Sequence, residues 1–191
     1  MTDTLLDFYL KSNAATLGVL ALLALYFITL NWVFFYRYFS ISNWISRESG
    51  SLESLLMGAS TVATDSYLNH FIKTSGNLSK EVFDLGMYAA TKEATKGLSF
   101  LSVVASTSPF IGLFGTVISI LDTFKHIGGA GGTMSIIAAG VSDALVATAA
   151  GIFVAIFAYT YHQILKRQSF ELNSLVHMQS DVLLAKLNRE S

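Results

Sequence analysis

Long apolar runs alternate along the chain with stretches in which apolar residues recur at helical spacing. Charged residues are absent from Ser12 to Tyr36, from Gly97 to Leu121 and, with one exception, from His126 to Leu165. Each run exceeds the roughly 20 residues that an α-helix needs to cross a bilayer core about 30 Å thick. Elsewhere the pattern changes. Leu52, Leu55, Leu56 and Val62, and later Leu172, Leu175, Val176, Val182, Leu183 and Leu187, fall on one side of a helix. The pattern predicts an all-α membrane protein with three transmembrane helices, at 14–36, 98–121 and 134–161. Residues 37–97 form a helical segment outside the membrane, broken at Gly76-Asn77, and the helix that follows the break runs unbroken into span two. The tail, 162–191, continues span three as an amphipathic helix packed on that segment. An N-terminal segment, 1–13, and a glycine-rich link, 122–133, complete the chain.

Composition agrees with this class. Only 13% of the 191 residues are charged, against about 25% in soluble domains. Without cysteine there is no disulfide, thiol nucleophile or thiolate metal ligand. The opening MTDTLLDFYLK carries two aspartates and one lysine, and the apolar run after it outlasts the roughly 7–15 residues of a signal-peptide core. A retained first span, ending in the aromatic belt Trp32, Phe34, Phe35 and Tyr36, is therefore expected. Lysine and arginine are unevenly placed. Lys11 precedes span one, and six follow it before span two (Arg37, Arg47, Lys73, Lys80, Lys92 and Lys96). Lys125 alone lies in the link, and four lie in the tail. Positive charge favours the cytoplasmic side, so the N-terminus is expected outside and both long hydrophilic segments inside.

Several chemistries lack their residues. The link HIGGAGGTMS is rich in glycine, but no Lys-Ser/Thr pair follows to make a phosphate loop, so it reads as a turn between antiparallel helices. The four histidines show no HExxH or other metal-ligand spacing, and no GxSxG occurs. The chain is expected to be neither an enzyme nor a metal protein.

The spans carry polar positions of their own. In span two, Ser108, Gly112, Thr116, Ser119 and Thr123 form a small, hydroxylated stripe. In span three, Gly140, Ala144, Thr148, Gly151 and Ala155 do the same. Such stripes either let helices pack closely or face a pore or partner, and spacing alone admits both. Pro109, the one proline, removes a backbone hydrogen bond to the Ala105 carbonyl and should bend span two. Asp143 interrupts the third run, about ten residues into its helix, where a carboxylate costs about 2.5–3.5 kcal/mol on insertion scales. It lies five positions before Thr148, about 140° away around the helix. Intramembrane carboxylates of this kind mark bundle interiors and ion paths, and an interfacial aspartate on a span that begins later is the alternative.

SPFIGLFGTVISIL (108–121) and SDALVATAAGIFVAIFAY (142–159) resemble the signature spans of the TolQ/ExbB/MotA proton-channel family, and the wording of span two and of the N-terminus is closest to its TolQ branch. The resemblance covers all three spans and their order. It implies a homopentamer in the bacterial inner membrane with a periplasmic N-terminus. It implies further that spans two and three line a pore around a dimer of a single-span TolR/ExbD-type partner, which would bear the proton-binding aspartate and act on a TolA/TonB-type protein. Protons are the driving ion that the resemblance implies, with no other cofactor and no nucleic acid expected. The resemblance places pore-lining threonines at Thr116 and Thr148, the helix-bending proline at Pro109 and an acidic residue at Asp143, where relatives commonly carry glutamate. Gly112, Gly115, Ser119, Ala144 and Gly151 fall among the pore helices' packing positions. The residues alone also admit a non-conducting membrane scaffold.

Overall fold

The computed structural model describes residues 14–59, 61–75, 80–127 and 134–190. Among these are five helices and no strand: α1 (Ala14–Leu56), α2 (Tyr67–Ser75), α3 (Lys80–Ala94), α4 (Leu98–Ile127) and α5 (Met134–Glu190). Three helical stretches, belonging to α1, to α3 with α4, and to α5, are long and apolar enough to cross a membrane. Residues 1–13, the expected break at Gly76-Asn77 and residues 128–133 of the link lie outside the described residues.

One expectation is corrected. The helix leading to span two is not continuous. α3 ends at Ala94, a turn through Thr95, Lys96 and Gly97 follows, and α4 begins at Leu98. Gly97 has φ +85°, a left-handed conformation that ends helices and that glycine adopts without steric cost. By contrast α1 passes well beyond the expected end of span one, to Leu56. There it closes with a glycine cap. Gly58 (φ +109°) donates from its N–H to Leu55 O at 3.2 Å, and Ala59 N–H donates to Ser54 O at 3.1 Å, the paired bonds of a left-handed C-cap.

The described residues divide into two compact units, one of residues up to Trp32 with Phe100–Tyr161 and one of Val33–Ser99 with the tail from His162. In the first, Val19, Leu23 and Leu30 of α1 are buried, as are Leu101 and Val104 of α4 and Ala144, Ala147, Val154 and Ala158 of α5. Phe27 packs on Phe153 and Phe157, with ring centroids 5.6 and 5.5 Å away. The Tyr161 hydroxyl donates to Asn31 Oδ1 at 3.0 Å. The large apolar side chains of α4 and α5, among them Phe110, Leu113, Phe114, Val117, Phe153 and Ile156, are exposed, as suits surfaces covered by lipid or by other membrane helices.

The second unit has a core of Leu55, Val62, Leu68, Phe83, Ala90, Val176 and Leu183. Leu172, Val176 and Leu183 of the predicted tail stripe are buried and Leu175 and Val182 half-buried, while the Leu187 side chain lies outside the description. Of the expected aromatic belt, Trp32, Phe35 and Tyr36 are exposed and Phe34 is buried. Helix ends in this unit are held by charged side chains from other helices. Lys186 of α5 donates to Leu55 O (3.0 Å) and Ala59 O (2.6 Å) at the end of α1. Arg37 Nη2 of α1 donates to Glu93 O (2.6 Å) and Ala94 O (3.2 Å) at the end of α3. Cations at carboxyl ends and carboxylates at amino ends are favourable because they meet unpaired peptide groups and the helix dipole. Glu48 supplies the carboxylate.

Candidate functional site

Where α4 meets α5, the contact is made by residues without bulk. A β-carbon added to Gly112 would lie 2.7 Å from Ala147 O and 3.1 Å from the α-carbons of Thr148 and Gly151; one added to Gly151 would lie 2.6 Å from Ser108 O. The obstructing atoms are backbone, so the helices approach as closely as they do only because both positions are glycine. Gly115 plays a related part, its missing side chain facing Ala147 and Val19 of α1. The two small stripes therefore face each other inside one chain. Ser119 Oγ donates to Gly140 O at 3.2 Å, and Ala144 is buried in the same seam.

This approach brings the two threonines together. Thr116 Oγ1 and Thr148 Oγ1 are hydrogen-bonded to each other. Thr116 Oγ1 also reaches Ala144 O at 3.1 Å, across the seam, and Gly112 O at 3.3 Å on its own helix, while Thr148 Oγ1 reaches Gly112 O at 3.4 Å. Each hydroxyl has one proton and two acceptor lone pairs. Two arrangements satisfy both. In one, Thr148 donates to Thr116, which donates to Ala144 O; in the other, Thr116 donates to Thr148, which donates to Gly112 O. Switching between them reverses the direction of the chain, which is the property required of a link in a proton relay. Both threonines are half-buried rather than sealed.

The other predicted residues take distinct places. Pro109 lies inside α4, directly after Ser108, whose buried hydroxyl donates to Val104 O at 2.7 Å. Helix α4 runs without interruption through the proline, from Leu98 to Ile127. Asp143 is half-buried on α5, one residue before Ala144, whose carbonyl accepts from Thr116. It stands near the seam while occupying a different side of α5 from Thr148, as their spacing requires.

Sequence reasoning gave no role to a second polar cluster. Glu48, fully buried, accepts at Oε1 from Trp44 Nε1 (3.1 Å) and the Tyr67 backbone N–H (2.7 Å), and at Oε2 from Ser66 Oγ (2.9 Å) and Gln179 Nε2 (2.8 Å). It thereby caps the start of α2 and ties α1 to α5. The only sequence signal was a lone glutamate in a helical stretch, which is ordinarily a solvated residue.

Residues 60–178, more than half of the chain, match the MotA/TolQ/ExbB proton channel family. A Helicobacter pylori protein, provisionally named biopolymer transport protein ExbB-like 1, is 38% identical over 188 residues, which cover 97% of this chain and all of that protein. Shorter similarities link it to the Tol-Pal system protein TolQ of Haemophilus influenzae, at 43% over 74 residues (38% of this chain, 32% of that protein). The biopolymer transport protein ExbB of Neisseria gonorrhoeae is 42% identical over 97 residues, 49% of this chain and 44% of its own length. The matched region contains the whole α4–α5 seam with its threonine pair. The chain, a multi-pass membrane protein with three spanning helices, thus belongs to the MotA/TolQ/ExbB proton channel family.

Proposed function

We propose that this chain is the proton-channel subunit of a motor in the bacterial inner membrane driven by the proton-motive force, assembled as a homopentamer around a dimer of a single-span TolR/ExbD-type partner. The observation that carries the reading is the hydroxyl pair Thr116–Thr148, half-buried and reversible in direction, between two apolar helices of a family member. In this scheme the partner's carboxylate takes up and releases the proton, and the threonine pair passes it along the seam. Asp143 tunes the field around the pair from the adjoining side of α5. Moving one charge through 100 mV supplies about 2.3 kcal/mol, enough to bias the partner's position at each proton transferred. Motion of the partner is passed to a TolA/TonB-type protein.

The whole-length similarity to an ExbB-like protein favours energising TonB-dependent import over the Tol role that the wording of span two favoured. The 43% local identity to a TolQ keeps envelope maintenance as the second reading. Co-expression with each candidate single-span partner, followed by native mass determination of the purified complexes, separates them. The expected result is a complex of five copies with two of one partner, and the partner retained names the system. An assembly that recruits no carboxylate-bearing partner would leave the scaffold reading instead.

A further inference from the structure

A cavity of about 430 Å3 opens in the second unit, lined by Ser40, Asn43, Trp44 and Arg47 of α1, together with Asp65, Tyr67 and Glu93. The α1 residues recur at intervals of three and four and so share one helix face. The Trp44 and Tyr67 rings pack with centroids 4.9 Å apart and form an aromatic wall. The charges are unequal in their satisfaction. Glu93 is neutralised by Lys96 at 2.5 Å and Arg37 at 3.8 Å. Arg47 and Asp65, both exposed, have no ion pair or hydrogen bond among the described residues. The pocket therefore offers one free cation, one free anion and an aromatic face, a combination complementary to a zwitterion that carries both an acid and an amine.

Its position on α1 identifies the source. Phe35, Tyr36 and Phe39 are 52, 68 and 63% exposed, an aromatic belt of the sort that marks the membrane–water boundary. Asn43 lies four positions beyond Phe39, about 6 Å along the helix, and a head-group layer is about 5–7 Å deep on each side of the hydrocarbon core. The mouth of the pocket thus lies at head-group level, with the long Arg47 side chain able to reach back towards it. Burial and the nearby Glu93, opposed by Lys96, raise the Tyr67 pKa, so the phenol keeps its proton and is available as a donor.

We infer that this pocket binds the head group of a zwitterionic aminophospholipid, the phosphate held by Arg47 with Asn43 and Ser40, and the ammonium held by Asp65 against the Trp44–Tyr67 wall. The inference requires only that α1 cross the membrane. It stands or falls separately from the proton-channel reading.

The test uses the full chain purified in mild detergent and incubated with phosphatidylethanolamine or phosphatidylglycerol of matched acyl chains, with bound lipid counted by native mass spectrometry. Phosphatidylethanolamine should be retained about fivefold better, the scale set by one charge-assisted contact at an open site. Asp65→Asn removes the acceptor for the ammonium and should erase or invert that preference. Arg47→Gln should weaken both lipids alike. Both positions are exposed, so helical content and assembly mass should match the wild type, and a lost preference then reports the pocket. Equal retention of the two lipids by the wild type would mean that these charges serve a protein partner or solvent, and the proposal falls. It also falls if the preference survives Asp65→Asn.

Discussion

The two units of this molecule solve the same packing problem in opposite ways. In the membrane-embedded unit the large side chains of α4 and α5 face outwards and the helices meet through Gly112, Gly115, Ala147 and Gly151. In the other unit Phe83, Leu55 and Leu68 lie inside, and the helix ends are tied by Arg37, Glu48 and Lys186. The difference follows from the solvent. In lipid, burying a leucine against another helix brings no hydrophobic gain, so close backbone approach and hydroxyl bonds between helices hold the contact. Away from lipid, burial of apolar area drives packing, and charged caps serve because they bind the open peptide groups and complement the dipole at helix ends. The small seam has a functional corollary, since only where side chains are short can two threonines of facing helices share hydrogen bonds.

Exchanging large side chains for small ones should separate the two units most strongly. Phe83→Ala should lower stability by about 3–5 kcal/mol through the lost burial and the cavity left behind. Phe114→Ala, 61% exposed in the membrane unit, should leave the stability of the single chain nearly unchanged. Thermal unfolding in detergent followed by circular dichroism measures both, and equal losses would refute the contrast. Next in size, Glu48→Gln should cost about 2–3 kcal/mol, because a carboxylate accepting four bonds becomes an amide whose NH2 faces other donors. Hydrogen exchange should locate that loss in α2 and its neighbours and leave the α4–α5 seam protected. Gly151→Ala sharpens the membrane side. Its new methyl meets the Ser108 carbonyl, and overpacking of this kind costs about 1–3 kcal/mol, so assembly yield should fall where an alanine elsewhere on α5 is harmless.

The smallest effect is alkaline. Tyr67 has its pKa raised above the ordinary value of 10.0, first by burial and then by Glu93, with Lys96 opposing. A group whose folded pKa is raised contributes stability that is complete below its unfolded pKa and disappears as pH rises through the folded value. Stability should therefore decline slightly above pH 10, in step with phenolate absorbance, and Tyr67→Phe should remove that part of the decline.

Much of the membrane unit was legible because lipid imposes simple rules. Uncharged runs of span length located α1, α4 and α5, and the 3.6-residue period put Ser108, Gly112, Thr116 and Ser119 on one face and Ala144, Thr148 and Gly151 on another. That these faces meet each other, and that the two hydroxyls bond, depends on the register between α4 and α5, which no single-helix pattern encodes. The continuous helix expected before span two failed at Gly97, where a glycine compatible with either helix or turn was resolved by the Arg37 and Ser169 groups that bind the freed carbonyls of α3. Glu48 was unreadable for the same reason. Three of its four donors come from sequence positions 66, 67 and 179, brought to it only by the fold.

The central claim is that the Thr116–Thr148 pair conducts as well as packs. Its most direct test is proton uptake by proteoliposomes containing the chain and its single-span partner under an imposed potential, comparing Thr148→Val with Thr148→Ser. Valine keeps the volume and removes the hydroxyl, while serine keeps the hydroxyl. Wild-type assembly mass is expected for both, with flux retained in Thr148→Ser and reduced to the level of empty vesicles in Thr148→Val. Wild-type flux through Thr148→Val would contradict the claim and leave the pair a packing contact alone.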